Sequence, residues 1–116
     1  GRVADVVGIR LGRLGERFQV LCITHLPQIA SRASTHFHID KAVRGNRTVT
    51  AVRRLDDEGR VEEIARMIGG AVVSEQVRAS ARELLAVATE SRHGREAKGK
   101  QKAKGESESH GGRRRV

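Results

Sequence analysis

The feature that most constrains this chain is the run Phe18-Gln19-Val20-Leu21-Cys22-Ile23-Thr24. It is apolar and rich in β-branched residues but does not alternate, which suits a strand covered on both faces rather than one wetted on one side. Before it, Val3, Val7, Leu11 and Leu14 recur at the spacing of one helical face, with Gly15 near the end. A helix feeding a buried strand is the signature of an α/β fold. After it, His25-Leu26-Pro27 breaks the strand, and Pro27 at a first helical position starts a short helix through Gln28, Ile29, Ala30 and Arg32.

The period then changes. Residues 35–43 alternate, with Thr35, Phe37, Ile39, Lys41 and Val43 on one face and His36, His38, Asp40 and Ala42 on the other. Arg44-Gly45-Asn46-Arg47 offers turn residues, so Thr48 to Leu55 is expected to return as the second strand of a hairpin. Asp56-Asp57-Glu58-Gly59 supplies caps for a helix whose Val61, Ile64, Ala65 and Ile68 share a face and which Gly69-Gly70 ends. Ser74 caps a last helix with Val77, Ala81, Leu84, Leu85 and Ala88 as its buried stripe.

Beyond Ala88 the apolar residues run out. Residues 92–116 hold nine of the 23 basic residues and three of the 14 acids, so the tail carries +6 of the formal +9 and the body +3. Such a segment cannot bury enough surface to offset its ordering entropy and is expected to be disordered. The foldable part is then residues 1 to about 91, a size that buries only roughly 60 to 65% of its unfolded surface. Cys22 is the only cysteine and there are two aromatics, so disulfide scaffolds, multi-cysteine zinc sites and a large aromatic core are excluded. No apolar run approaches a membrane span, and the reading is a soluble cytoplasmic protein. Because the chain begins at Gly1 and enters a helical pattern at once, it is expected to be a piece of a longer protein.

The most informative chemical arrangement is Thr24-His25 at the carboxyl end of the expected strand, where open α/β sheets bind their ligands. The bland competitor is a histidine that satisfies a loop carbonyl. His36, His38 and Asp40 share a strand face and could in principle present a metal site, although a solvated face is the simpler reading. Cys22 and His25 are three apart and fall on opposite strand faces, which argues against a nucleophile and base, so Cys22 reads as a small buried residue. Met67 reads as packing, and Glu62 and Glu63 as charges favourable near a helix amino terminus.

Together, Val20-Leu21-Cys22-Ile23-Thr24-His25-Leu26-Pro27-Gln28-Ile29-Ala30, Lys41 with the Thr48 to Leu55 strand, Arg60-Val61-Glu62-Glu63-Ile64-Ala65-Arg66-Met67-Ile68-Gly69-Gly70, and Ala81-Arg82-Glu83-Leu84-Leu85 resemble the carboxyl-terminal end of the RecN family, bacterial DNA repair ATPases related to SMC and ABC-type ATPases. The resemblance covers residues 1 to about 89. It implies an α/β fold: the carboxyl-terminal part of a P-loop ATPase head, comprising a helix, buried strand, switch loop, β-hairpin and two helices. It further implies that His25, with Thr24 beside it, is a switch residue reaching the γ-phosphate of ATP, and that Gly1 and Arg2 follow the D-loop. A histidine suits that role, because phosphoryl transfer depends on positioning and electrostatics, and an imidazole can donate to a phosphate oxygen.

The chain contains no Gly-x-x-x-x-Gly-Lys-Ser/Thr loop, no signature motif and no apolar strand ending in Asp-Glu. ATP and Mg2+ are therefore expected only in a complete protein, which would supply the missing amino-terminal part, pair with a second head in a homodimer, and act on DNA in double-strand-break repair and recombination at the nucleoid. The resemblance does not reach the tail, where Lys98, Lys100, Lys102, Lys104, Arg113, Arg114 and Arg115 could contact DNA phosphates or simply solubilise the chain. No aromatic is interleaved there for base stacking. The competing class is a small basic nucleic-acid-binding protein without ATPase activity.

Overall fold

A computed structural model describes residues 1–109. The elements run α1 (Arg2–Leu14), α2 (Pro27–Ala30), β1 (Phe37–Arg44), β2 (Arg47–Arg54), α3 (Asp57–Gly69) and α4 (Glu75–Ser109). The sequence signals account for most boundaries. Pro27 sits in the first turn of α2. Asp56 caps α3 by accepting the Gly59 amide at 2.7 Å, and Ser74 Oγ accepts the Val77 amide at 3.3 Å at the start of α4. The expected hairpin forms, its second strand starting one residue earlier than expected, with Phe37 opposite Arg54 and Arg44 opposite Arg47. Its two turn residues, Gly45 at φ 49° and Asn46 at φ 55°, both take the left-handed backbone that a type I′ connection demands.

The core lies where α3 crosses α4. Ile64, Ala65 and Ala81 are fully buried there, Ala30 of α2 joins them, and Val61, Met67, Val73, Val77, Leu84 and Leu85 pack around the edge. Alanines at the crossing let the helices approach closely, and Glu62 of α3 reaches Arg78 of α4 at 2.7 Å. Leu55, which follows β2, is also buried, and its amide is held by the His36 carbonyl at 2.9 Å. On the other side, α1 rests on α2 through Gly8, where a Cβ would lie 3.0 Å from the Gln28 carbonyl oxygen.

Three expectations are corrected. Residues 18–24 form no strand; Leu21 is 86% and Ile23 88% exposed, and Cys22 is exposed rather than buried. A strand meant to be covered on both faces needs neighbouring strands for its backbone, and among the described residues the only sheet is the two-stranded hairpin. The apolar face of α1 is open, with Val3 78% exposed, and Ile68 of α3 is also exposed. Finally, residues 92–109 continue α4 as helix instead of being disordered. Ala, Glu, Lys, Gln and Arg are strong helix formers, so local propensity extends the helix past the point where packing stops. Residues 110–116 lie outside the described residues.

Candidate functional site

His25 occupies a turn closed by Thr24 and followed on its carboxyl side by a held segment. Thr24 Oγ1 accepts the Leu26 amide at 3.0 Å, a local side-chain turn. Leu26 is extended, at φ −97° and ψ 118°, and hands the chain to Pro27 and α2. The carboxyl end of α2 is buried, where Ser31 Oγ donates to the Gln28 carbonyl at 3.2 Å. The next three residues are held from behind by two arginines on different helices. Arg60 Nη2 of α3 donates to the Ala33 carbonyl at 2.8 Å and the Ser31 carbonyl at 3.4 Å, and Arg92 Nη2 of α4 donates to the Arg32 carbonyl at 3.0 Å. Burial, together with the nearby Arg92 cation, lowers the pKa of Arg60. At the open end of this frame His25 is exposed and makes no hydrogen bond or ion pair with any described residue. The competing role, satisfying a loop carbonyl, is not the one its ring plays.

A second cluster joins the hairpin to α3. His38 Nε2 lies 2.9 Å from Asp40 Oδ1, and its Nδ1 lies 3.1 Å from Glu63 Oε2. A neutral imidazole has one N–H, so facing a carboxylate at each nitrogen favours the imidazolium, and the pKa of His38 is raised, foremost by Asp40. Glu63 also receives both Nε and Nη2 of Arg66, at 2.9 and 2.7 Å, and its carboxyl is held below the usual range mainly by that pairing. His36 shares the sequence face of His38 and Asp40 but not their contacts. Its Nδ1 is buried with no partner, and burial lowers its pKa. Among the described residues no group of three His, Cys, Asp or Glu is placed to hold a metal ion.

The tail lysines Lys98, Lys100, Lys102 and Lys104 are exposed on α4. At 100° per residue, Lys98 and Lys102 fall on one side of the helix and Lys100 and Lys104 on the opposite side, so they do not form one stripe. Arg113, Arg114 and Arg115 lie outside the described residues. Sequence reasoning missed Arg60, Arg92 and the Glu63 partner of His38, because their partners are 25 to 60 residues distant and no spacing rule links them.

Comparison with known proteins now bears on this geometry. The DNA repair protein RecN of Xylella fastidiosa (strain Temecula1) is 47% identical over 85 residues, that of Halalkalibacterium halodurans 48% over 89, and that of Deinococcus radiodurans 49% over 86. The chain matches a carboxyl-terminal RecN segment. These alignments take in 73 to 77% of the chain but only 15 to 16% of each RecN protein. No family model matches. No helix among the described residues is long and apolar enough to cross a membrane.

Proposed function

We propose that this chain is the carboxyl-terminal part of a RecN-like, ATP-hydrolysing DNA repair protein of the cytoplasm, and that His25 is its switch residue at the γ-phosphate. The observation that carries the reading is an uncommitted imidazole on a turn held by Thr24, Pro27, Arg60 and Arg92. A donor aimed at developing phosphate charge acts best when its position costs nothing to organise at the moment of reaction. The residues of this chain do not by themselves fit ATP and Mg2+, because they include neither a phosphate-cradling loop nor an Asp-Glu strand end. ATP would supply the phosphoryl group to water, and the cradle and the magnesium ligands must come from sequence other than these residues. The share of this chain is His25, with Thr24 setting the turn that presents it. The exposed run 18–24 and the open face of α1 then pack against the rest of the head.

The test is His25→Ala in the complete protein. ATP turnover is expected to fall on the order of 10²-fold, as for loss of one preorganised charge-stabilising donor, with thermal unfolding unchanged. Wild-type turnover in that variant would make His25 structural.

A further inference from the structure

The body of the chain is only mildly basic, yet its charge is strongly polarised. Residues 37–54 hold five basic residues and one acid, a net +4, while the rest of residues 1–91 nets −1. On α3, and on α4 as far as Arg92, the cations are committed. Arg66 pairs with Glu63, Arg78 with Glu62 and Glu75, and Arg82 with Glu75, while Arg60 and Arg92 hold carbonyls. On the hairpin, Lys41, Arg44, Arg47, Arg53 and Arg54 are all exposed and none pairs with a described residue; the one acid, Asp40, is taken by His38.

The register sorts these cations by face. Phe37, Ile39, Val43 and Val52 share one side with Lys41 and Arg54, whereas Arg44, Arg47 and Arg53 share the other with Ala42, Val49, Ala51 and the paired His38 and Asp40. Arg44 and Arg47 are directly opposed across the strands. Like charges in that relation destabilise a hairpin, and nothing among the described residues offsets them. A cost of that kind, borne by exposed guanidinium groups on a face whose one acid, Asp40, is already engaged by His38, fits a surface built for an anionic partner.

We propose that the hairpin face bearing Arg44, Arg47 and Arg53 is a contact surface for the phosphate backbone of duplex DNA. Arg47 and Arg53 are six residues apart on β2, about 20 Å at the usual strand rise, which spans about six phosphates along one strand. Arginine suits phosphate by its bidentate fork, and a two-stranded ribbon is thin enough to enter a major groove. The small intervening residues carry no base-reading amide, so the contact is sequence-independent. The proposal holds whether or not His25 serves ATP hydrolysis, and it places DNA contact on the hairpin rather than on the tail.

The experiment measures binding of a labelled 30-base-pair duplex to the full 116-residue chain by fluorescence anisotropy across a salt series. Arg44→Gln/Arg47→Gln/Arg53→Gln is expected to lower the slope of log affinity against log salt by about 2 to 3, alike on unrelated sequences. The charge-matched control Arg10→Gln/Arg13→Gln/Arg17→Gln, on exposed positions of α1 and the turn after it, is expected to leave the slope within about 1 of wild type. Arg44→Gln/Arg47→Gln should also unfold at a slightly higher temperature, since it removes opposed like charges, so weaker binding by a more stable protein cannot be misfolding. Equal slopes in the hairpin and control variants would overturn the proposal, leaving net charge as the cause. Displacement by polyglutamate as effective as by unlabelled duplex would also overturn it, in favour of an acidic protein partner.

Discussion

Replacing Arg60 by Met tests whether the turn that carries His25 is held from α3. The change keeps most of the side-chain volume and removes the charge. It deletes a charge-assisted hydrogen bond to the Ala33 carbonyl at 2.8 Å and a long one to the Ser31 carbonyl at 3.4 Å. A bond to a charged group contributes about 1.5 to 3 kcal/mol, and the longer contact adds little. Against this, Arg60 Nε is buried without a partner, a penalty of about 1 to 3 kcal/mol that the variant relieves in part. The expected net loss is therefore about 1 to 2 kcal/mol, measured as a shift in the urea midpoint at unchanged slope. The loss should be local as well as global. Amides of Ile29, Ala30 and Ser31, which close α2, should exchange faster than those of the α3–α4 core. Combining Arg60→Met with Arg92→Met should be non-additive, because both arginines grip the same three residues. Unchanged stability with unchanged exchange in α2, or strict additivity, would refute the idea of a shared brace.

Two histidines two residues apart are expected to give opposite pH dependences. His38 has a raised pKa in the folded state, so its stabilisation is complete below the unfolded value of about 6.5 and is lost as pH rises through the folded value. The stability difference between wild type and His38→Gln in urea titrations should thus be about 1 kcal/mol at pH 5.5 and vanish at alkaline pH. His36 is lowered, chiefly by burial, so the folded state disfavours its charging and stability falls as pH drops below about 6.5; His36→Gln should flatten that decline. Gly8 and Gly12 of α1 form a matched pair. At Gly12 an added Cβ meets open space, and Gly12→Ala should stabilise by about 0.5 to 1 kcal/mol, whereas at Gly8 it lies 3.0 Å from a backbone carbonyl and 3.2 Å from Arg32 Cγ. Gly8→Ala should therefore destabilise by about 1 kcal/mol or more in thermal melts, its overpacking exceeding the helix gain.

Local chemistry was legible in the sequence wherever a residue acts on its own neighbourhood. Asp56, Ser74, Pro27 and the Gly45-Asn46 turn end or begin their elements as their side chains dictate. The stripe Val77, Ala81, Leu84, Leu85 and Ala88 faces the core because a 3.6-residue period is decisive in a long helix. The break at His25-Leu26-Pro27 was legible for the same reason. What was not legible depends on partners distant in sequence. Arg92 was read as the first residue of a disordered tail, but it clamps a carbonyl 60 positions earlier. His38 was weighed as a metal ligand beside His36, but its ring turns to Glu63 on another element while His36 turns inward.

The coil at residues 18–24 is the most informative disagreement, because its composition and its conformation point in different directions. The sequence there is that of a strand buried on both faces, yet Phe18, Leu21 and Ile23 all stand in solvent. Isolated β propensity cannot form such a strand, since each backbone group must find a partner in an adjacent strand before the side chains can bury anything. Exposing Phe18, Leu21 and Ile23 within seven residues is unfavourable and aggregation-prone, and under the function proposed above a sheet from the RecN length that this chain does not span would cover them. The turn at His25 immediately follows that run and inherits its placement from it. The arginine brace fixes the turn from the carboxyl side, and pairing of residues 18–24 with the remaining sheet would fix it from the amino side. Under the proposed role of His25, the two restraints together would aim its imidazole at a phosphate.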